Sequence, residues 1–227
     1  MCGRFAQITP TGDLIKIFEV TNSLPLQPRF NIAPTEGVAV IRASDHHRQL
    51  AILRWGLIPR WANDLSIGYK TFNARSETAH IKPSFKAALK ARRCLIPASG
   101  FYEWDKIGKF KQPYYISRND GCPMALAGLW DQWVDRQSGE IIESCTILTT
   151  SANRTVGRIH DRMPVILEPN DYGLWLDHKV QRIEEFSDLF SPAADNILGL
   201  APVSTYVNKA GHEGPQCVAP LQSGRTL

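Results

Sequence analysis

Seven short runs of apolar, mostly β-branched or aromatic residues set the fold class of this chain. They are Val38–Ile41, Leu50–Trp55, Cys94–Ala98, Tyr114–Ser117, Met124–Trp130, Ile141–Thr149 and Pro164–Leu167. Clusters of Gly, Pro, Asp and Asn separate them, and most are too short for a helix of ordinary length, so they read as strands. Helical spacing is rarer. Thr11–Val20 opens on a Thr cap and places Leu14, Ile17 and Phe18 on one side; Ser84–Arg93 follows Pro83 and gathers Phe85, Ala88 and Leu89. Asn170–Leu176 and Arg182–Phe190 are two further helical candidates. The pattern predicts an α+β, β-rich fold with curved or barrel-like antiparallel sheets and a few flanking helices. A chain of 227 residues suits a single domain over 1–227.

Composition narrows the function classes. The net charge of +4 is a mild cationic excess that accommodates a polyanionic partner without requiring one. No run approaches the length of a membrane-spanning helix, and "MCGRFAQITPTGDL" lacks the apolar stretch of a signal peptide. The expected location is therefore the cytoplasm or nucleoid, with no membrane partner. The five cysteines (Cys2, Cys94, Cys122, Cys145, Cys217) are odd in number and contain no C-x-x-C pair. That spacing argues against a zinc site or a disulfide framework. Cys94, Cys122 and Cys145 sit in or beside apolar runs and are expected to be buried thiols.

Cys2 is different, because loss of Met1 would make it the N-terminus. Its α-amine would then titrate near about 7.7–8.0 and be roughly a quarter neutral at cytosolic pH. A neutral amine beside a thiol can trap an aldehyde, first as an imine and then, when sulfur closes the ring, as a thiazolidine. Position alone leaves open that Cys2 merely follows the start codon.

Several segments carry more polar character than packing needs. "RFNIAPT" (29–35) and "WGLIPRW" (55–61) read as Pro-punctuated loops rich in aromatics. In "NARSET" (73–78), Asn73, Arg75 and Glu77 share a face if the stretch is extended. In "SGFYEW" (99–104), alternation places Glu103 with Phe101, and Tyr102 with Trp104. A carboxylate among large apolar groups is pushed toward general-acid work by desolvation, although a rim carboxylate paired with arginine would fit the same letters. His160, Asp161 and Arg162 stand in tandem before a Pro-led strand, where an imidazole could carry protons or serve structure. The other histidines, His46, His47, His80, His178 and His212, lie in polar, turn-like contexts. Trp61 sits in a loop beside Arg60, placed either to stack on a base or to fold onto the core. Trp55, Trp104 and Trp130 lie in strand-like runs and are expected in the core.

Taken together, these stretches resemble the SOS-response-associated peptidase (SRAP) family, which has bacterial and vertebrate members. The similarity runs through "MCGRF", "RFNIAPT", "WGLIPRW", "NARSET", "CLIPASGFYEW", "LTTSAN", "IHDRMPVIL" and "PVSTYVN", in that order, with 42–49, 105–113 and the C-terminal tail as variable ground. The resemblance implies recognition of abasic sites in single-stranded DNA and a stable thiazolidine crosslink through Cys2 after Met1 is removed. It also implies associated lyase chemistry and self-processing. By motif, Cys2 is the nucleophile, Asn73 orients the N-terminus, and Glu103 and His160 are proton carriers. Arg4, Arg75 and Arg162 are implied phosphate clamps, Pro34 and Trp61 an apolar platform and wedge, and Thr149 a contact to the DNA backbone. The resemblance calls for no metal or organic cofactor, and one lesion needs only one site, so a monomer is expected.

Two rival classes share the N-terminal signal. A glutamine amidotransferase of the N-terminal-nucleophile type also begins Met-Cys-Gly, but its substrate-holding arginine and Asn/Gly oxyanion pair are not recognisable here. A non-catalytic single-stranded DNA-binding module would leave Cys2 incidental and yield only salt-sensitive binding.

Overall fold

The computed structural model describes residues 2–44, 47–108 and 110–221. Met1 and His46 lie outside that set. The apolar runs form strands whose two faces are both covered. β3 (Gly37–Ser44), β6 (Arg93–Ala98) and β9 (Met124–Val134) alternate between two cores. Val38, Val40, Cys94, Ile96, Met124 and Leu126 enter one; Ala39, Ile41, Leu95, Ala125, Ala127 and Leu129 enter the other. A strand buried on both faces needs apolar residues at consecutive positions, which is why these stretches read as runs rather than as alternation.

β3 pairs antiparallel with β4 (His47–Trp55) and with β6; β6 pairs with β9, and β9 with β10 (Ile141–Ser151). A short parallel contact, Ser144 opposite Arg54 and Cys145 opposite Trp55, joins β10 to β4 and closes the ring. β10 extends beyond it, taking β5 (Asn73–Arg75) in parallel and β11 (Arg162–Pro164) in antiparallel pairing, while β12 (Ile166–Leu167) joins β9. The second sheet is antiparallel, in the order β13 (Leu198–Pro202), β8 (Phe110–Arg118), β7 (Gly100–Ile107), β1 (Phe5–Gln7), β2 (Arg29–Ile32). Its Phe5, Ile32, Phe101 and Ile116 share a core with Val38, Leu53, Trp55 and Ile147 of the first sheet, so the two sheets sandwich that core. The other core is covered by helices: Leu14 and Phe18 of α1 (Thr11–Phe18), Ala88 and Leu89 of α3 (Pro83–Ala91), and Tyr172, Trp175 and Leu176 of α4 (Tyr172–Leu176). The remaining helix, α2 (Ser76–Ala79), is a single turn directly after β5.

This β-rich, barrel-like architecture with few helices matches the sequence expectation, and several details correct it. The two parallel pairings of β10 depart from an all-antiparallel arrangement; long crossovers bring their partners to it, which is how parallel neighbours arise. "RFNI" is strand β2, not loop. α1 has no threonine cap: Pro10 takes that position and the Thr11 hydroxyl bonds the Leu24 carbonyl. It stops at Phe18 because Glu19 turns left-handed at φ 54°. Arg182–Phe190 forms two 3-10 turns, Ile183–Glu185 and Ser187–Phe190, broken at Phe186, whose buried ring packs edge-on against Trp175. Cys122 is exposed, since Asp120 and Gly121 turn the chain before the following strand begins. Trp55 is fully buried, whereas Trp104 and Trp130 are only partly so.

One glycine holds the start of the 55–61 loop. Gly56 has φ +133°, donates its N–H to the Cys145 carbonyl at 2.8 Å, and a Cβ there would stand 2.5 Å from the backbone oxygen of Gly68. Gly56→Ala should therefore destabilise the protein by at least the roughly 1–3 kcal/mol of ordinary overpacking. A fall in melting temperature of about 2 °C or more is expected; an unchanged melting temperature would show that the loop relaxes freely.

Candidate active site

Cys2 lies where the two sheets meet. The residues that follow it run beside β7: the Tyr102 N–H donates to the Arg4 carbonyl at 2.9 Å, and Phe5 pairs with Phe101. That register brings Cys2 within electrostatic reach of Glu103, the next residue on β7. From the first sheet, Asn73 of β5 donates its Nδ2 hydrogen to the Cys2 carbonyl at 2.6 Å. Cys2 is 0% exposed, Glu103 3% and Asn73 8%, so backbone tether and carboxylate are both shielded from water. The Asn73 Oδ1 is also buried and has no hydrogen-bond partner among the described residues.

β10 organises the rest. Ile147 pairs with Asn73 and Thr149 with Arg75 on one side; Ser151 pairs with Arg162 on the other. The Ala152 N–H bonds the Asp161 carbonyl, which places His160 and Asp161 at the same end. Asn73, Arg75, His160 and Arg162 are thus gathered by one strand, and Glu103 and Cys2 approach from the other sheet. "NARSET" is not extended throughout: α2 begins at Ser76, so Glu77 leaves the face of Asn73 and Arg75 and reaches Arg162 instead.

Burial sets the protonation states. It pushes the Cys2 thiol far above its ordinary range, with the Glu103 charge adding to the effect. It raises Glu103 to about 7, helped by the Asp161 charge. It lowers His160 below the usual histidine value. Asp161 lies 3.0 Å from the His160 Nδ1 and favours the imidazolium, but desolvation outweighs it. The same Nδ1 accepts the Arg162 N–H at 2.9 Å, so the neutral ring carries its proton on Nε2.

The expected DNA-contacting residues are placed unequally. Arg75 is exposed and makes no ion pair among the described residues. Arg4 is half-buried, with Nη1 donating to Asn31 Oδ1 at 2.7 Å and to the Val207 carbonyl at 3.1 Å. Arg162 is 13% exposed and engaged by Glu77. Thr149 is fully buried, its hydroxyl directed at the Ala74 carbonyl 3.4 Å away. Trp61 is 54% exposed, with its indole N–H toward the Pro83 carbonyl. Pro34 is half-buried in a turn whose next residue, Thr35, bonds Trp55 at the start of the Trp61 loop. Two contributors escaped sequence analysis. Asn31, a polar residue inside the "RFNI" strand, is buried and clasps the carbonyls of Val207, Lys209 and His212 while accepting from Arg4. Asp131, inside an apolar strand, is buried between Arg60 and Arg92 beside the Trp61 loop. In both cases the signal was a polar residue at a core position. Among the described residues, no group of three or more His, Cys, Asp or Glu converges to hold a metal.

The Glu103 shift has a measurable sign. Its folded value, about 7, lies above the ordinary 4.5, so its contribution to stability is full below about 4.5 and is lost as pH rises through 7. Wild type should thus lose melting temperature between pH 5 and pH 8, and Glu103→Gln should lose measurably less. Identical profiles would mean that Glu103 is not desolvated.

The sequence and the fold can both be matched to known proteins. A profile described as SOS response associated peptidase (SRAP) covers residues 1–210. The abasic site processing protein YoqW of Bacillus subtilis (strain 168) is 38% identical over 222 residues, spanning 96% of this chain and 99% of that protein. The abasic site processing protein HMCES of Xenopus tropicalis is 35% identical over 225 residues, 86% of this chain and 67% of that protein. A crystal structure of a protein from Bacteroides thetaiotaomicron superposes with a TM-score of 0.89 at 25% identity, covering 97% of this chain and all of that one. With a matching profile over most of its length, relatives at this identity and the same fold, the chain belongs to the SRAP family.

Proposed function

We propose that this protein processes abasic sites in single-stranded DNA by forming a covalent thiazolidine through Cys2 once Met1 has been removed. The observation that carries the reading is the pairing of Cys2 with Glu103. A residue able to become an aminothiol N-terminus is tethered through its carbonyl by Asn73, beside a carboxyl group whose value of about 7 suits it to both give and take a proton. The names of the curated relatives point to the same substrate.

The chemistry follows from those groups. The open-chain form of an abasic sugar presents an aldehyde. The neutral α-amine of Cys2 adds to that carbon, and Glu103 in its acid form protonates the departing hydroxyl, so that water leaves and an imine remains. The Cys2 sulfur then attacks the imine carbon; the thiol proton, shuttled through the Glu103 carboxylate, ends on nitrogen, and the five-membered ring closes. Water expelled in the first stage is the only leaving group, and no redox change occurs. The buried thiol stays protonated in the resting protein, which protects it from oxidation until a base receives its proton. His160, neutral with Nε2–H, serves as the second proton carrier. At the imine stage its Nε2–H donates to the 3′ phosphate oxygen as the C3′–O bond breaks, while the Glu103 carboxylate takes the C2′ proton; this β-elimination is the associated lyase activity. Removal of Met1 by the protein itself belongs to the same reading. Arg4, Arg75 and Arg162 hold phosphates, Thr149 supports the backbone contact, and Trp61 with Pro34 forms the apolar edge against which bases unstack. The protein acts in the cytoplasm, at the nucleoid, as a monomer.

A denaturing gel with single-stranded DNA carrying one abasic site tests this directly. Wild type should give a band that survives heat and detergent, and Cys2→Ala should lose it while retaining at most an imine trappable by borohydride. A stable adduct from Cys2→Ala at the wild-type level would sink the thiazolidine mechanism. Ammonia release from glutamine would instead favour the amidotransferase class. Glu103→Gln should slow adduct formation within the range of about 10²–10⁴ seen for acid–base groups. An N-terminal extension that is not cleaved should abolish crosslinking, because an amide nitrogen, its lone pair delocalised into the carbonyl, cannot form the imine.

A further inference from the structure

Among the arginines expected to hold phosphate, Arg162 has its binding edge already occupied. Its Nη1 donates to Glu77 Oε1 at 2.6 Å and its Nη2 to Glu77 Oε2 at 2.9 Å, a two-pronged contact. Nη2 also bonds the Thr149 carbonyl at 2.6 Å. The remaining edge is closed: Nε is buried and has no acceptor among the described residues. Both Nη atoms are thus engaged by Glu77. The two partners differ in freedom, since Arg162 is 13% exposed and Glu77 51%. Glu77 can leave the fork without opening the core, whereas Arg162 is held by Thr149 and by the pairing of β11 with β10. Arg75, just before α2, also acts electrostatically on the Glu77 carboxylate. A carboxylate and a phosphodiester both offer two oxygens to a guanidinium fork.

Resting on the reading of this protein as a binder of single-stranded DNA, we propose that Glu77 is a built-in competitor for DNA phosphate. It holds Arg162 in the free protein and must be displaced by a backbone phosphodiester before Arg162 can clamp the strand. Reversible affinity for intact strands is thereby kept low, and retention is left to the covalent step, which requires an aldehyde. Glu77 is thus a specificity-determining residue. The exchange involves only the Arg162 side chain. Its backbone N–H, which sets the His160 tautomer, stays in place in β11. The effect therefore falls on binding and not on chemistry.

A double-mutant cycle on Glu77 and Arg162 tests this, with an intact single-stranded oligonucleotide as the probe. Glu77→Gln should bind roughly twofold to fivefold more tightly than wild type, the scale of losing a partly exposed ion-pair competitor. The slope of log affinity against log salt should stay within about 0.7 of wild type, because the same Arg162–phosphate contact is made in both bound states. In an Arg162→Gln background the same substitution should change neither quantity. Glu77→Asp, which keeps the charge, should behave much as wild type, and the crosslinking rate at saturating abasic DNA should be unchanged in Glu77→Gln. Weaker or unchanged binding by a Glu77→Gln protein of normal melting temperature, or an equal gain in both Arg162 backgrounds, would overturn the proposal. If wild type forms no adduct with abasic DNA, the proposed function itself fails; if it does and the cycle shows no coupling, only the role of Glu77 fails.

Discussion

A single buried hydrogen bond, from the Asn73 side chain to the Cys2 carbonyl, ties the start of the chain to the sheet that carries the rest of the candidate site. Chain ends fray unless something holds them, and here the holding group comes from 71 residues away. Breaking such a bond in a water-free setting costs about 1–3 kcal/mol, because the carbonyl is left with no replacement partner. The tether works only because β5 is itself fixed, paired in parallel with β10 and followed at once by α2. β10 in turn is held by β9 along most of its length. The placement of Cys2 is thus inherited from the closure of the larger sheet.

The second dependence is electrostatic. Cys2, Glu103 and His160 all sit where water is scarce, and desolvation favours the neutral form of each: thiol up, carboxyl up, imidazole down. Glu103, raised to about 7, lands near neutrality. The cations stand outside this pocket. Arg162 is neutralised by Glu77, Arg4 is drawn into the Asn31 and Val207 contacts, and Arg75 alone of the three faces solvent without a paired acid among the described residues.

Asn31 and Asp131 show how polar residues at core positions serve the surroundings of the site. Asn31 gathers three carbonyls of the 207–212 segment and one arginine nitrogen, which fixes Arg4 beside Cys2. Asp131 pins Arg60 and Arg92, and Trp61 follows Arg60 directly. Each is a polar side chain that the fold can bury only because its hydrogen-bonding capacity is met.

Local sequence carried the strands, because a run apolar at every position can be satisfied only by burial on both faces, and the turn residues between runs mark where that burial stops. It also carried the face on which Glu103 stands, since alternation in "SGFYEW" needs no knowledge of partners. Cys2 could be singled out for a similar reason: what it is able to do depends on its place in the chain. Local sequence could not say which strands close the ring, because the pairing of β4 with β10 rests on two residue pairs brought together by everything between them. Nor could it place Glu77, whose neighbours read equally well as an extended strand. Tertiary structure decided that α2 begins at Ser76 and that Arg162, 85 residues away, meets the carboxylate there. Protonation behaved in the same way. The letters name which groups can titrate, but the values follow from how much water each group has lost, and that is a property of the packed whole.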